Sequence, residues 1–423
     1  MSDAVDDQAR KPALAQWDFL RAGRASVAAR SSASVTGAAH GVSATRVTVA
    51  TRDQLAACPR WTRAFASQYK DHRFYELLED TVAQFEYRYL LLRDAKGDVC
   101  SIQPFFIVDQ DLVAGIPGVG HIAGLMRRLW PRFMRLRTMM VGCAAGEGHV
   151  DAGDDRSHAM IASLLQTRLT DVARSENAQL VVLKEFPAAY RSVLTCLTND
   201  GYLRVPSLPA SRLDIGYADF EDYMRRALTR MTRKDLRRKF KTAARAAPIE
   251  MSVLTDASAI VDELYPLYLQ VYDRSKLRFE KLTKEFLCEI GRRMPDRARF
   301  FVWRQNGRVI AFNLCLLHGD TISDEYIGLD YSVALDLHLY HYTFRDIVSW
   351  AIAHGVRTYR SNGLNYEPKL HLRQRLAPLD LYVRHTSRVA NVVLHYVLPW
   401  LEPTRYDRTL KLFANYDELW GRR

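Results

Sequence analysis

Blocks of apolar residues recur along the chain in one order, twice. After Arg46, Val47-Thr-Val-Ala predicts a short strand, and Leu55, Trp61, Phe65, Phe74, Leu77 and Leu78 predict helix from Asp53 onward. Tyr87–Arg93 and Val99–Val108 flank a turn at Asp94-Ala-Lys-Gly97, the pattern of a β-hairpin. Thr138–Gly142 predicts a further strand, Ser157–Ser175 a helix by period, and Gln179–Lys184 a buried strand.

The second run repeats this. Arg299–Arg304 predicts a strand, Gln305-Asn-Gly307 a turn, and Val309–His318 the return strand. Thr321–Asp330 predicts another strand, Leu337–His354 a helix, and Val356–Ser361 a strand. Arg88 matches Arg299 and Gly97 matches Gly307, offsets of 211 and 210. A repeat this long is a duplicated domain, not a solenoid. Helices set between mostly antiparallel strands predict an α/β fold with mixed sheets. The boundaries expected are a tail over 1–45, a first unit over 46–210, a second over 211–388, and a helical extension over 389–423. Leu203–Tyr217 reads as the crossover between units.

Composition adds limits. Apolar residues make up 48% and charged residues 26%, which excludes a mainly disordered chain, a collagen or a small disulfide scaffold. Ala25–Thr45 is almost all Ala, Ser, Gly, Val and Thr and can bury little. The six cysteines are scattered with no C-x-x-C, so free thiols in a reducing compartment are expected, and no metal site. Ser2, Asp3, Asp6 and Asp7 open the chain without an apolar stretch behind them, so no secretory signal is expected. Leu112–Met126 and Val389–Leu401 are too short to span a bilayer and read as buried or interfacial. A cytoplasmic location follows, with the inner membrane face as a peripheral option.

The charge is uneven. The net is +12, yet Arg225–Arg245 alone holds ten Lys/Arg against Asp235. Met224, Leu228, Met231, Leu236 and Phe240 recur at helical spacing, so 224–245 predicts an amphipathic basic helix bent near Thr232. Such a helix can bind phosphates of a nucleotide, a tRNA or a lipid-linked substrate, lie on an anionic membrane, or be a solvated face. Arg233, Lys234, Arg237 and Arg238 are its candidate contacts. Sequence-specific DNA binding is not expected, because no motif for base reading is present. Gly124–Arg137 mixes Leu, Met, Trp and Phe with five arginines, and reads as a membrane-facing loop or a half-buried insertion.

Four stretches carry a family likeness. They are Arg230–Lys239; Tyr268-Leu-Gln-Val-Tyr272 with Arg274-Ser-Lys276 and Lys281-Leu-Thr283; Gly307-Arg-Val-Ile-Ala-Phe312; and Leu337–His354 leading through Gly355 to Asn362-Gly363 and Tyr366-Glu-Pro-Lys369. Together they resemble the GNAT acyltransferases, more narrowly the FemAB-like and CelD-like enzymes with two tandem GNAT-like units. The likeness runs over roughly 211–385, with a fainter copy at 46–200. It implies an acyltransferase, with acyl-CoA or acetyl-CoA as co-substrate. One departure stands out. The Gly-rich turn that holds the pyrophosphate in that family reads Asp330-Tyr-Ser-Val-Ala-Leu-Asp336 here, with no glycine. The first unit has Gly142-Cys-Ala-Ala-Gly146-Glu-Gly148 at the equivalent place, either a phosphate loop or a flexible turn.

Acyl transfer to an amine needs a base and a proton donor. Asp324-Glu325-Tyr326 offers two acids and a phenol on a strand, where alternation puts Asp324 and Tyr326 on one face and Glu325 on the other. Tyr340-His341-Tyr342 follows on a helix, where His341 reads as a substrate contact or as a packed core histidine. Asn362, Tyr366, Glu367 and Lys369 sit after the last strand, where α/β sites gather. Glu367 or Asp324 is the expected base, Tyr326 or Tyr366 the proton donor, and Lys369 the residue that closes the family's motif. The expected reaction passes an acyl group to an amine on a small-molecule or lipid-linked acceptor, on a cell-envelope or polysaccharide precursor. Two alternatives stay open: an aminoacyl-tRNA-dependent FemAB-type peptidyltransferase, and a non-catalytic peripheral membrane scaffold.

Overall fold

A computed structural model describes residues 44–111, 125–126, 128, 135–152, 155–275 and 278–421. Residues 1–43 of the expected tail and most of the Gly124–Arg137 segment lie outside the described residues. Among the described residues fourteen strands build two seven-stranded mixed sheets. They are β1 (Ala44–Ala50), β2 (Glu86–Asp94), β3 (Val99–Asp111), β4 (Arg135–Val141), β5 (Leu180–Pro187), β6 (Leu203–Pro206) and β7 (Ala210–Asp214), then β8 (Ile249–Leu254), β9 (Ala298–Gln305), β10 (Arg308–His318), β11 (Thr321–Leu329), β12 (Thr358–Ser361), β13 (Arg375–Ala377) and β14 (Leu379–His385).

The first sheet runs β1-β2-β3-β4-β5-β14-β6 and the second, read in the same sense, β8-β9-β10-β11-β12-β7-β13. The repeat expected from the sequence is therefore present strand for strand. Helices His72–Thr81 and Lys284–Arg293 stand at nearly the same offset, 212. The hairpin glycines Gly97 and Gly307 both take positive φ, 91° and 78°, which is why the turns read alike in sequence.

The sixth position differs from the linear expectation. The segment read as a crossover holds two strands, and the units exchange one each. β7 leaves the first unit to sit between β12 and β13, while β14 crosses to sit between β5 and β6. Strand exchange pairs residues far apart in the chain, so local periodicity carries no trace of it.

Both faces of each sheet are covered, which explains the near-continuous apolar runs. In β9, Phe301 and Trp303 enter an outer core beneath helix Leu339–Ala353, while Phe300 and Val302 enter a core shared by both sheets. In the first unit Tyr89, Leu91 and Phe106 line that shared core, and Leu90, Leu92 and Phe105 the outer one. Ion pairs cross the seam as well: Arg73 to Asp296 at 2.8 Å and Arg297 to Asp71 at 3.0 Å.

Three local expectations change. The helix expected from Asp53 is broken by Pro59 and by Phe65 at φ 57° into Arg52–Ala56, a 3-10 turn at Trp61–Arg63, and His72–Thr81. The basic segment forms two helices, Phe220–Ala227 and Arg230–Ala244. The break falls at Thr229, not Thr232, because the Thr229 hydroxyl accepts from the Thr232 amide at 3.2 Å and caps the second helix. The residues after 388 form helix Arg388–Leu401 and three 3-10 turns. All six cysteines are free thiols. Among the described residues no helix is long and apolar enough to cross a membrane.

Candidate active site

The site grows from an irregularity in β11. Leu314 faces Tyr326 and Cys315 faces Asp324, so Glu325 has no opposite residue in β10. This bulge breaks the expected alternation. Glu325 and Tyr326 both turn toward the shared core, and Asp324 turns the other way, toward helix Leu339–Ala353. The same place is where the sheet opens: parallel pairing of β11 with β12 ends at Asp324 and Ser361. Across the divergence the Asn362 amide donates to the Glu325 carbonyl at 3.0 Å.

On the outer side, Asp324 accepts from Asn313 Nδ2 at 2.8 and 3.0 Å and from the Tyr359 hydroxyl at 2.8 Å. Withdrawal from water pushes its carboxyl up to about 6, against the pull of those hydrogen bonds and the Lys369 charge. Lys369 comes from the short helix Tyr366–His371, which Asn365 starts from a left-handed conformation at φ 50°. Its Nζ is buried and donates to the Asn362 carbonyl. Burial pushes the ammonium down to about 8, with the Asp324 carboxylate working the other way. A carboxyl raised and a lysine lowered toward neutrality thus influence each other at one opening of the sheet, the arrangement acid–base chemistry needs.

On the inner side, Lys70 Nζ reaches Glu325 Oε2 and the Ala145 carbonyl, both at 2.7 Å, with both side chains almost fully buried. Burial is the strongest single influence and lowers Lys70, but Glu325, Cys143 and Glu147 together outweigh it and hold the ammonium above its usual range. Ser323 Oγ donates to the other Glu325 oxygen at 2.5 Å. Glu147 pairs with Arg360, and burial raises its carboxyl. His149 beside them is pushed down to about 3 by burial and then by the Arg360 and Lys70 charges, so it stays neutral. Sequence reading missed Lys70, Glu147 and Arg360.

The Gly142–Gly148 loop builds much of this inner cluster. Its carbonyls face cations: Ala145 takes Lys70, and Gly146 takes Lys184 at 3.0 Å. Gly148 lies so close to the Lys184 carbonyl and the Phe186 ring that a Cβ would meet both at 2.5 Å. The loop packs into the place where β4 and β5 part.

The other expected residues scatter. Glu367 is exposed in the first turn of its helix. Tyr366 donates to the Pro209 carbonyl at 2.9 Å within a separate apolar cluster, and Tyr326 donates to Glu280 at 3.1 Å on the inner side. His341 lies 3.2 Å from Lys239 of the basic helix, and burial with that charge pushes its imidazole down to about 4. Asp324, Lys369 and Asn362 are the expected residues that come together.

The turn after β11 bears on the acyl donor. The amides of Asp330, Val333, Ala334, Leu337, His338 and Leu339 donate to backbone carbonyls. Tyr331 N donates to Gln270 and Ser332 N to the Asp330 carboxylate, both at 3.0 Å. Backbone amides so committed are not available to a pyrophosphate. The basic helix supplies cations next door: Lys239 touches His341, and Arg345 of helix Leu339–Ala353 stacks 4.9 Å from the Phe240 ring. Arg237 and Arg238 carry carboxylate partners, Glu221 and Asp235, and Arg233 donates to the Leu228 carbonyl at 2.7 Å. Lys234 is exposed. Among the described residues no cluster of ligating side chains could hold a metal ion.

Residues 230–369 match the family model described as an acetyltransferase (GNAT) domain, the segment that spans the basic helix, the bulge and Lys369. Two curated Mycobacterium tuberculosis proteins, from strains CDC 1551 / Oshkosh and ATCC 25618 / H37Rv, both named "Putative 8-amino-7-oxononanoate synthase 2", are 23% identical over 316 residues. The alignment takes in 69% of this chain and spans 39% of the length of those relatives. Among solved structures, FemX aligns over 79% of this chain and 97% of its own at 10% identity and a TM-score of 0.48. L-PGS from Bacillus licheniformis aligns over the same shares at 10% identity and 0.45. A tandem GNAT protein from the clavulanic acid biosynthesis pathway aligns over 81% and 99%, at 11% and 0.41.

Proposed function

We propose that this chain, an acyltransferase by its GNAT domain, moves an acyl group onto an amine at the opening between β11 and β12, with Asp324 as base and Lys369 as proton donor. The observation that carries this reading is the pair itself, a carboxyl raised to about 6 and a lysine lowered to about 8 beside the bulge. The amine nitrogen attacks the acyl carbon and gives its proton to Asp324. The C–N bond forms, the bond to the leaving group breaks, and Lys369 protonates the departing atom. A lysine near 8 is well matched to a thiolate leaving group, whose own value is about 8.5. The donor is accordingly an acyl thioester such as acyl-CoA, its phosphates resting on basic-helix side chains instead of turn amides. The acceptor is an amine on a small or lipid-linked precursor.

Aminoacyl-tRNA is a second donor, favoured by the density of charge in 225–245. The test is a transfer assay on the purified full chain with acetyl-CoA, a long-chain acyl-CoA and an aminoacyl-tRNA against a panel of amines. Reversing Arg233, Lys234, Arg237 and Arg238 together should weaken thioester transfer and abolish tRNA transfer. Turnover that survives Asp324→Asn unchanged would remove Asp324 from the mechanism.

A further inference from the structure

We propose that the outward face of helix Arg388–Leu401 is a docking surface for an anionic phospholipid membrane, an inference independent of the donor and acceptor. The helix packs on β14 and β6 through Leu394 and Leu398. Among the described residues nothing covers the opposite face. Val389, Val393, Tyr396 and Trp400 recur at helical spacing and stand 77%, 57%, 75% and 70% exposed. Just beyond the helix, Tyr406 and Leu412 are 62% and 69% exposed. A continuous apolar strip of this kind is uncommon on a water-facing surface.

The charges around the strip select the occupant. Arg388, Arg408 and Lys411 are exposed, whereas Arg405 lies 3.6 Å from the buried Glu402, and the other acid between 388 and 412 is a half-buried Asp407. A second copy docking by a two-fold axis would bring the same cations face to face. An anionic lipid surface neutralises them instead. Tyr and Trp beside aliphatic residues suit the headgroup boundary, where an aromatic ring keeps one end wet. Fourteen residues make a helix of about 21 Å, short of the roughly 30 Å hydrocarbon core, so the helix lies on the membrane and does not cross it. Neither the Asp324 opening nor the basic helix belongs to this face.

The test is co-sedimentation of the full chain with vesicles of phosphatidylcholine alone and with a third phosphatidylglycerol. Binding is expected to the anionic vesicles, to weaken several-fold when salt rises from 0.1 to 0.5 M, and to fall at least tenfold in Val393→Asp/Trp400→Asp. Both positions are exposed, so the fold should survive, which circular dichroism checks. Reversal of Arg388, Arg408 and Lys411 should erase the preference for anionic lipid. Absence of binding, or binding unchanged in Val393→Asp/Trp400→Asp, would overturn the proposal. So would loss of binding only when Lys234 and Arg237 of the basic helix are reversed. A concentration-dependent dimer abolished by Trp400→Asp, without lipid binding, would assign the face to a second copy.

Discussion

The two sheets open at equivalent places and meet opposite fates. In the first unit, β4 and β5 pair up to Val141 and Leu183 and then part. Gly142–Gly148 folds into the gap, with Gly148 N donating to the Glu185 carbonyl at 3.1 Å. In the second unit, β11 and β12 pair up to Asp324 and Ser361, and the gap holds Asn362 and the titratable pair Asp324 and Lys369. One architecture thus gives a plugged opening and a chemically equipped one. The plug also serves the working side, because its carbonyls hold Lys70 against Glu325. On the proposed reading, duplication yields a support in one unit and a site in the other.

Loss of the Asp324 carboxylate should have the strongest consequence. Asp324→Asn keeps shape and the Tyr359 contact but cannot take a proton, so kcat should fall by about 10²–10⁴ with KM little changed. The exposed Glu367→Gln, by contrast, should leave the rate within about twofold. Next comes the seam. Lys70→Met strands the buried Glu325 carboxylate and should cost about 3–5 kcal/mol in urea unfolding, and Lys70→Met/Glu325→Leu should recover most of it. A plug-directed change is milder. At Gly146, φ is 126° and a Cβ would meet Lys70 Nζ at 2.2 Å, so Gly146→Ala should lose about 1–3 kcal/mol. Gly97 has open space around it and a positive φ alone, so Gly97→Ala should lose about 1 kcal/mol.

The pH dependence sharpens the same contrast. Asp324 must be ionised to accept a proton, so turnover should drop as pH falls through about 6. Lys369 must be charged to donate one, so turnover should drop again as pH rises through about 8. A bell between these limits is expected, and Lys369→Arg, whose guanidinium cannot release a proton, should lower kcat and remove the alkaline limb from what remains.

Much of this was legible in the chain. Hairpins, repeat offset and basic helix follow from periodicity and turn residues, and the GNAT likeness at 230–369 rests on motifs that sit in one stretch. Asp324 could be named as an acid beside a second acid and a phenol on one strand, and Lys369 because it closes the family's motif. The bulge could not be read, since Asp-Glu-Tyr looks the same in a regular strand. Nor could the Lys70–Glu325 pair, whose members are 255 residues apart, or the strand exchange, which depends on tertiary pairing. Glu367 looked as good as Asp324 in sequence; the first turn of its helix simply points it into water.

The most direct test of the working opening needs no substrate. Lysine side chains labelled with 15N can be followed by NMR through a pH titration, with Lys369→Arg to identify the signal. A midpoint near 8 is expected for Lys369, falling further in Asp324→Asn because the neighbouring carboxylate supports the charge. A midpoint at the ordinary lysine value of about 10.4, unmoved by Asp324→Asn, would contradict the account.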